Sequence, residues 1–181
     1  MGVLKVVRFL LMSNIMQQRQ KFAEIPKRFV KANIKQFEDS VVKVCDRFIK
    51  AEGWRSLLVV GPIGTGKTHL ACGIANEYCS ISNALYTTAY KMSQRIMSDG
   101  NADHFQKYPM LIIDEVTRSF DSRAEQNRFF DLINHRYENE MPVVIIGNRN
   151  DDEIREAVGE PVWDRLSERS MTLALLGESK R

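Results

Sequence analysis

The run Gly61-Pro62-Ile63-Gly64-Thr65-Gly66-Lys67-Thr68 constrains this chain most, because it matches G-x-x-x-x-G-K-[ST] in full and stands between a strand pattern and a helical one. Leu57-Leu58-Val59-Val60 reads as a short buried strand, and Leu70, Ala71, Ile74, Ala75 and Tyr78 recur at helical spacing behind the motif. Strand, glycine-rich turn and helix in that order form a cradle for the phosphates of ATP. The glycines let the loop bend tightly and aim successive N–H groups at phosphate with no Cβ in the way. Lys67 brings a point charge to the β- and γ-phosphates, Thr68 offers a hydroxyl to Mg²⁺, and the helix N-terminus adds partial positive charge.

Hydrolysis needs a metal-binding carboxylate and a group that polarises water. Met110-Leu111-Ile112-Ile113 reads as a second buried strand ending on Asp114 and Glu115, about 45 residues after the cradle. Asp114 then serves the Mg²⁺ shell and Glu115 the attacking water. A third apolar run, Val143 to Gly147, ends at Asn148, where the carboxyl end of a parallel strand meets a ligand crevice. Asn148 is the candidate to hold the water or the γ-phosphate, whereas Asn150, with Glu153 three residues on, fits a helix cap. Farther on, Arg165 is the candidate arginine finger, reaching the γ-phosphate of a neighbouring subunit. Its competing reading is a surface arginine paired with Asp164 or Glu168.

These motifs, with the Asp164-Arg165-Leu166 triplet, stand in the order and spacing of AAA+ ATPases, which the chain resembles. More narrowly, Ile25-Pro26-Lys27-Arg28-Phe29, Phe37-Glu38, the Gly-Lys-Thr-His-Leu-Ala run at 66 to 71 and the closing Gly177-Glu178-Ser179-Lys180-Arg181 resemble one group. It holds bacterial replicative helicase loaders of DnaC and DnaI type and the IstB transposition helpers. The resemblance covers residues 25–181, and Lys180 stands where that group usually has an aromatic residue. It implies a Mg²⁺-dependent ATPase, weak alone and completed by a neighbouring subunit in an at least transient homo-oligomer. The implied partners are single-stranded DNA and a hexameric replicative helicase. Carried over by position, His69 joins the nucleotide-binding residues, Asn148 is the γ-phosphate sensor, and a DNA-touching helix falls at about 88–100 with Tyr90, Lys91, Gln94 and Arg95. Lys91 and Arg95 are the candidate DNA contacts. Such loaders normally carry a separate helicase-binding region, so the match implies a compact form that lacks most of it.

A chain of 181 residues, 44% apolar, suits one α/β domain over 25–181 after an extension over 1–24. Apolar runs and helical patterns alternate: strands at 57–61, 84–88, 110–113, 143–147 and 171–175, helices at 67–79, 89–98, 122–138, 151–158 and 161–168. That alternation predicts a five-stranded parallel sheet with helices on both faces, here expected without a C-terminal lid domain. Phe129, Leu132, Ile133 and Tyr137 are expected in its core.

The net charge of +3 hides an asymmetry, about +7 over residues 1–60 and about −4 over the remainder. Arg19, Lys21, Lys27, Arg28, Lys31 and Lys35 could follow a nucleic-acid backbone, or simply keep a small domain soluble. Cys45, Cys72 and Cys79 lack zinc spacing and suit a reducing cytoplasm, and His69, His104 and His135 lack metal-ligand spacing and, apart from the place of His69 beside the cradle, read as structural or surface residues. The apolar stretch Val3 to Met12 is broken by Lys5 and Arg8 and is too short to span a bilayer. The leading expectation is a helicase-loader-type replication ATPase; the alternatives are a transposition helper acting on duplex DNA and an interaction module that inhibits the helicase or its loader.

Overall fold

The computed structural model describes residues 2–118, 120, 122–148 and 150–177, with the side chains of residues 2–10 and of Arg118 left aside. The chain runs α1 (Gly2–Phe22), α2 (Asp39–Lys50), β1 (Ser56–Val60), α3 (Lys67–Tyr78), β2 (Ala84–Thr88), α4 (Ala89–Asp99) and α5 (Asp103–Gln106). It continues through β3 (Met110–Asp114), α6 (Arg123–Glu138), β4 (Val143–Ile146), α7 (Asp151–Val158), α8 (Glu160–Glu168) and β5 (Ser170–Ala174). Short 3₁₀ turns lie at Lys27–Phe29, Ile34–Gln36 and Val116–Arg118.

All five strands are parallel in the order β2-β3-β4-β1-β5. Because side chains alternate along a strand, β1 to β4 each feed two cores, while edge strand β5 feeds only the first through Leu173. Leu57, Val59, Tyr86, Ile112 and Val144 face α2 and α3. Leu58, Val60, Leu85, Ile113 and Ile145 face α4, α6, α7 and α8. Helices therefore cover both faces, as the alternation of patterns predicts. Phe129, Leu132 and Ile133 are buried on the second face with Tyr137 packed at its margin. Caps fix the helix starts. Ser122 and Glu125 form a reciprocal box at α6, and Asn150 accepts the Glu153 N–H at α7, the role expected of it.

The structure adds α2, whose apolar residues Val41, Val42, Cys45, Phe48 and Ile49 carry helical spacing inside a lysine-rich stretch. The start of the basic stretch packs on the domain. Arg19 on α1 donates to the Cys79 carbonyl at 3.2 Å, Gln20 donates to Asn76, and buried Ala23 accepts the Tyr86 N–H at 2.9 Å. Fully buried Arg136 spends its guanidinium on the carbonyls of Phe105, Tyr108, Pro109 and Pro142, tying together the amino ends of β3 and β4. Burial pushes its pKa down to about 9, so it remains a cation at neutral pH. The far ends of the same two strands carry the candidate chemistry. Among the described residues no helix is long and apolar enough to cross a membrane.

Candidate nucleotide site

The 61–68 loop leaves β1 through Gly61, whose φ of 144° and close approach to the Leu175 carbonyl leave no room for a side chain: a Cβ there would sit 2.4 Å from that oxygen. Gly66, at φ 96°, is the left-handed residue from which α3 starts, and its carbonyl accepts the Leu70 N–H at 2.9 Å. Thr65 braces the turn by donating to the Pro62 carbonyl at 3.0 Å. The helix therefore begins at the concave side of the loop, with its first N–H groups facing the cleft. Lys67 is buried, and its ammonium donates to the carbonyls of Gly61 and Pro62, both at 2.7 Å.

Thr68 and Asp114 come together as the motif spacing predicts. The Thr68 hydroxyl donates to Asp114 Oδ2 at 2.8 Å, although 46 positions separate them. Asp114 is nearly inaccessible, at 4% exposure, and its Oδ1 accepts the Glu115 N–H at 2.8 Å. Glu115 follows with φ 60°, a left-handed conformation uncommon for a residue with a side chain, which turns the chain away from β3 at the cleft. Asn148, just beyond β4, lines the same cleft. In the sheet β3, β4 and β1 are adjacent, so carboxylates, amide and phosphate loop converge at neighbouring carboxyl ends.

The cleft has a volume of about 640 Å³, within the range of small-molecule sites. One end is the phosphate loop with Asp114 and Glu115. The other is built by Arg28, Phe29, Gln36 and Phe37 from the turns that precede α2. His69 joins them: its Nε2 lies 2.7 Å from Gln36 Oε1, and its ring packs edge-on against Phe29 at 6.0 Å and tilted against Phe37 at 5.8 Å. Aromatic faces beside a cation and an amide suit the flat, hydrogen-bonding ring of a nucleobase. The sequence marks Phe29 and Phe37 only as signs of resemblance and assigns Arg28 to the basic stretch. Their part in the cleft depends on folding across α3, and local spacing carries no trace of it. Tyr86 is a further wall residue, with its hydroxyl donating to Asp114 Oδ2 at 2.9 Å.

Arg165 does not line this cleft. It lies on α8 with Nε donating to Asn134 Oδ1 at 2.6 Å, one terminal nitrogen donating to the Pro161 carbonyl at 2.9 Å, and its plane 4.7 Å from the Phe130 ring centre. These partners differ from the Asp164 or Glu168 pairing of the competing reading. Lys91 and Arg95 lie on exposed positions of α4, Arg95 within ion-pair distance of Glu24 and Asp99. Ile63 stands exposed at the tip of the phosphate loop. Glu178 to Arg181, the end of the closing motif, fall outside the described residues.

Fold and cleft together define a P-loop ATP-binding domain of the AAA+ class. The chain belongs to the family described as IstB-like ATP binding protein, whose model matches residues 5–181. It is 28% identical over 187 residues to the insertion sequence IS21 ATP-binding protein of Pseudomonas aeruginosa, covering 92% of this chain and 69% of that protein. It is 28% identical over 121 residues to the replicative helicase loader DnaC of Escherichia coli K12, covering 61% of this chain and 49% of the loader. It thus spans about two thirds of one relative and half of the other. Among solved structures, DnaI superposes with a TM-score of 0.72 at 18% identity over 91% of this chain and 100% of that one. The DnaC helicase loader gives 0.71 at 20% over 82% and 99%. At those identities the likeness is one of fold.

Proposed function

We propose that the protein is a Mg²⁺-dependent ATPase that acts on DNA as the accessory of a larger machine. The observation that carries this reading is the Thr68 hydroxyl 2.8 Å from the buried Asp114 carboxylate at the mouth of the phosphate loop. Hard oxygen donors of this kind, one neutral and one anionic, fit Mg²⁺. Bound there, the ion would neutralise charge on the β- and γ-phosphates. The loop's N–H groups cradle the phosphates, and Lys67 exchanges the carbonyls of Gly61 and Pro62 for phosphate oxygens. Glu115 polarises water at the γ-phosphate, and Asn148 fixes its position by an amide hydrogen bond. Arg28, Phe29, Gln36, Phe37 and His69 hold the base.

Arg165 completes the site of a neighbouring copy by stabilising charge that grows on the γ-phosphate. Lys91 and Arg95 on α4 contact DNA through its phosphates. Two partners are compatible with this chemistry. The match to the insertion-sequence protein extends over 92% of the chain and that to the helicase loader over 61%, which favours a transposition helper on duplex DNA. The loader reading, with single-stranded DNA and a hexameric helicase, rests on the likeness to DnaC and DnaI.

The test is ATP turnover by the purified protein alone, with single-stranded DNA and with duplex, against Lys67→Ala as the blank. Turnover stimulated by duplex supports the helper and turnover stimulated by single strands the loader. Wild-type turnover no greater than that of Lys67→Ala under every condition would sink the ATPase reading and leave a nucleotide-stabilised interaction module.

A further inference from the structure

Asp114 holds more hydrogen bonds than its motif requires. Oδ1 accepts the N–H of the next residue, Glu115, while Oδ2 accepts two hydroxyls, from Thr68 at 2.8 Å and from Tyr86 at 2.9 Å. The two hydroxyls have different fates when a metal binds. Thr68 sits on the first turn of α3 beside the phosphate loop, so its oxygen is the one to turn to the ion and leave Oδ2. Tyr86 rises from the neighbouring strand, two residues before Thr88, the partner of Asp114 in the β2–β3 register. Its ring is packed in the α2–α3 core at 5% exposure, and its N–H is fixed to the Ala23 carbonyl at 2.9 Å.

We infer that Tyr86 is a positioning residue for the metal-binding carboxylate, the donor that keeps Asp114 aimed once Thr68 has been claimed by Mg²⁺; this deepens, and rests on, the ATPase reading above. With Tyr86 present, Asp114 is held at both oxygens, from the peptide of Glu115 and from β2. Without it the carboxylate has one anchor, an N–H of its own neighbour, about which it can swing. Burial and the adjacent carboxylate push the phenol's pKa upward, so the hydroxyl stays neutral and remains a donor. Partners that orient a ligating carboxylate typically contribute a factor of about 10 to 100 in metal affinity. The competing explanation is a core tyrosine that finds the nearest acceptor for its hydroxyl. The two differ in which affinity responds.

Tyr86→Phe keeps the ring and deletes the oxygen. A fluorescent ATP analogue is titrated in EDTA and in Mg²⁺ against wild type, Tyr86→Phe, Tyr86→Leu and Asp114→Ala. For Tyr86→Phe the metal-free affinity stays within about two-fold of wild type, while the affinity in Mg²⁺ weakens roughly ten-fold, approaching that of Asp114→Ala. Metal-free binding doubles as the check on folding, and Tyr86→Leu, which also lacks the hydroxyl, is read by the same pair of affinities. Unchanged binding in Mg²⁺ overturns the inference, as does an equal loss with and without metal, which marks a core residue. If wild type shows no binding, or Asp114→Ala keeps the full Mg²⁺ effect, the nucleotide-site reading itself fails and the inference falls with it.

Discussion

At the residue scale, the meeting of the 61–68 loop with the Asp114-Glu115 pair is legible because each is a run of adjacent residues bounded by an apolar strand. Tyr86 and Arg28 are not, because what they do is set by a partner 28 residues away in one case and by a fold-back over α3 in the other. The cysteines illustrate how burial overrides intrinsic reactivity. Cys45, Cys72 and Cys79 are fully buried, and desolvation pushes the first two thiols up to about 12 and raises the third. The thiolate is the reactive form, so at pH 8 the native protein has almost none to offer. Iodoacetamide followed by mass spectrometry is expected to leave all three unmodified in the folded protein and to label all three after denaturation. Rapid labelling of Cys72 in the native state would contradict the packing of α3.

At the scale of elements, α3 is the organiser. Its N-terminus forms the phosphate loop, and its outer face carries the 25–37 strap that completes the cleft. Two contacts make that strap lie flat. Gly73 admits the backbone of Asn33 and Ile34, where a Cβ would come within 3.0 Å of the Ile34 nitrogen. Asn76 donates to the carbonyls of Val30 and Ala32 at 3.2 and 2.9 Å. Asn76→Leu strands both carbonyls and is expected to destabilise the domain by about 1–3 kcal/mol. It also frees the wall that Phe29, Gln36 and Phe37 build, so if that wall holds the base ATP affinity should fall about ten-fold, while binding of inorganic triphosphate, which needs only the loop, stays near wild type; parallel calorimetric titrations would reveal it. The five strands are legible as short apolar runs and most of the helices between them as patterns of period 3.6, whereas the four-residue α5 is too short to register. The segment before β1 is harder to read: α2 buries Cys45, Phe48 and Ile49 and packs half-buried Val41 beside them, but Lys43, Asp46, Arg47 and Lys50 among and after them give it the composition of a charged tail. The 3₁₀ turns that carry Phe29 and immediately precede Phe37 are each three residues long, too short for any periodicity to register.

For the whole molecule, the position of Arg165 raises the question of where its charge is used. In its own chain the guanidinium is held by Asn134 and Pro161 over Phe130, outside the cleft. If it acts across a subunit boundary, Arg165→Ala binds ATP normally and turns it over at background rate, and so does not differ in rate from Lys67→Ala, which fails at binding. Mixing the two variants then restores turnover, because a Lys67→Ala subunit supplies the arginine to an intact phosphate loop on its neighbour. No recovery in the mixture, or full activity of Arg165→Ala alone, would remove the residue from that role. The manner of any such assembly is narrowed by the Ala23 carbonyl. The sheet ends on β2, and the donor that Tyr86 offers there is already taken by this chain's own backbone. An open strand edge invites another chain to extend the sheet, with the risk of indefinite stacking. With that donor occupied from within, copies of this protein do not join by prolonging the sheet through Tyr86 on the β2 side. A second strand laid along β2 would first have to displace this chain's own backbone at Tyr86.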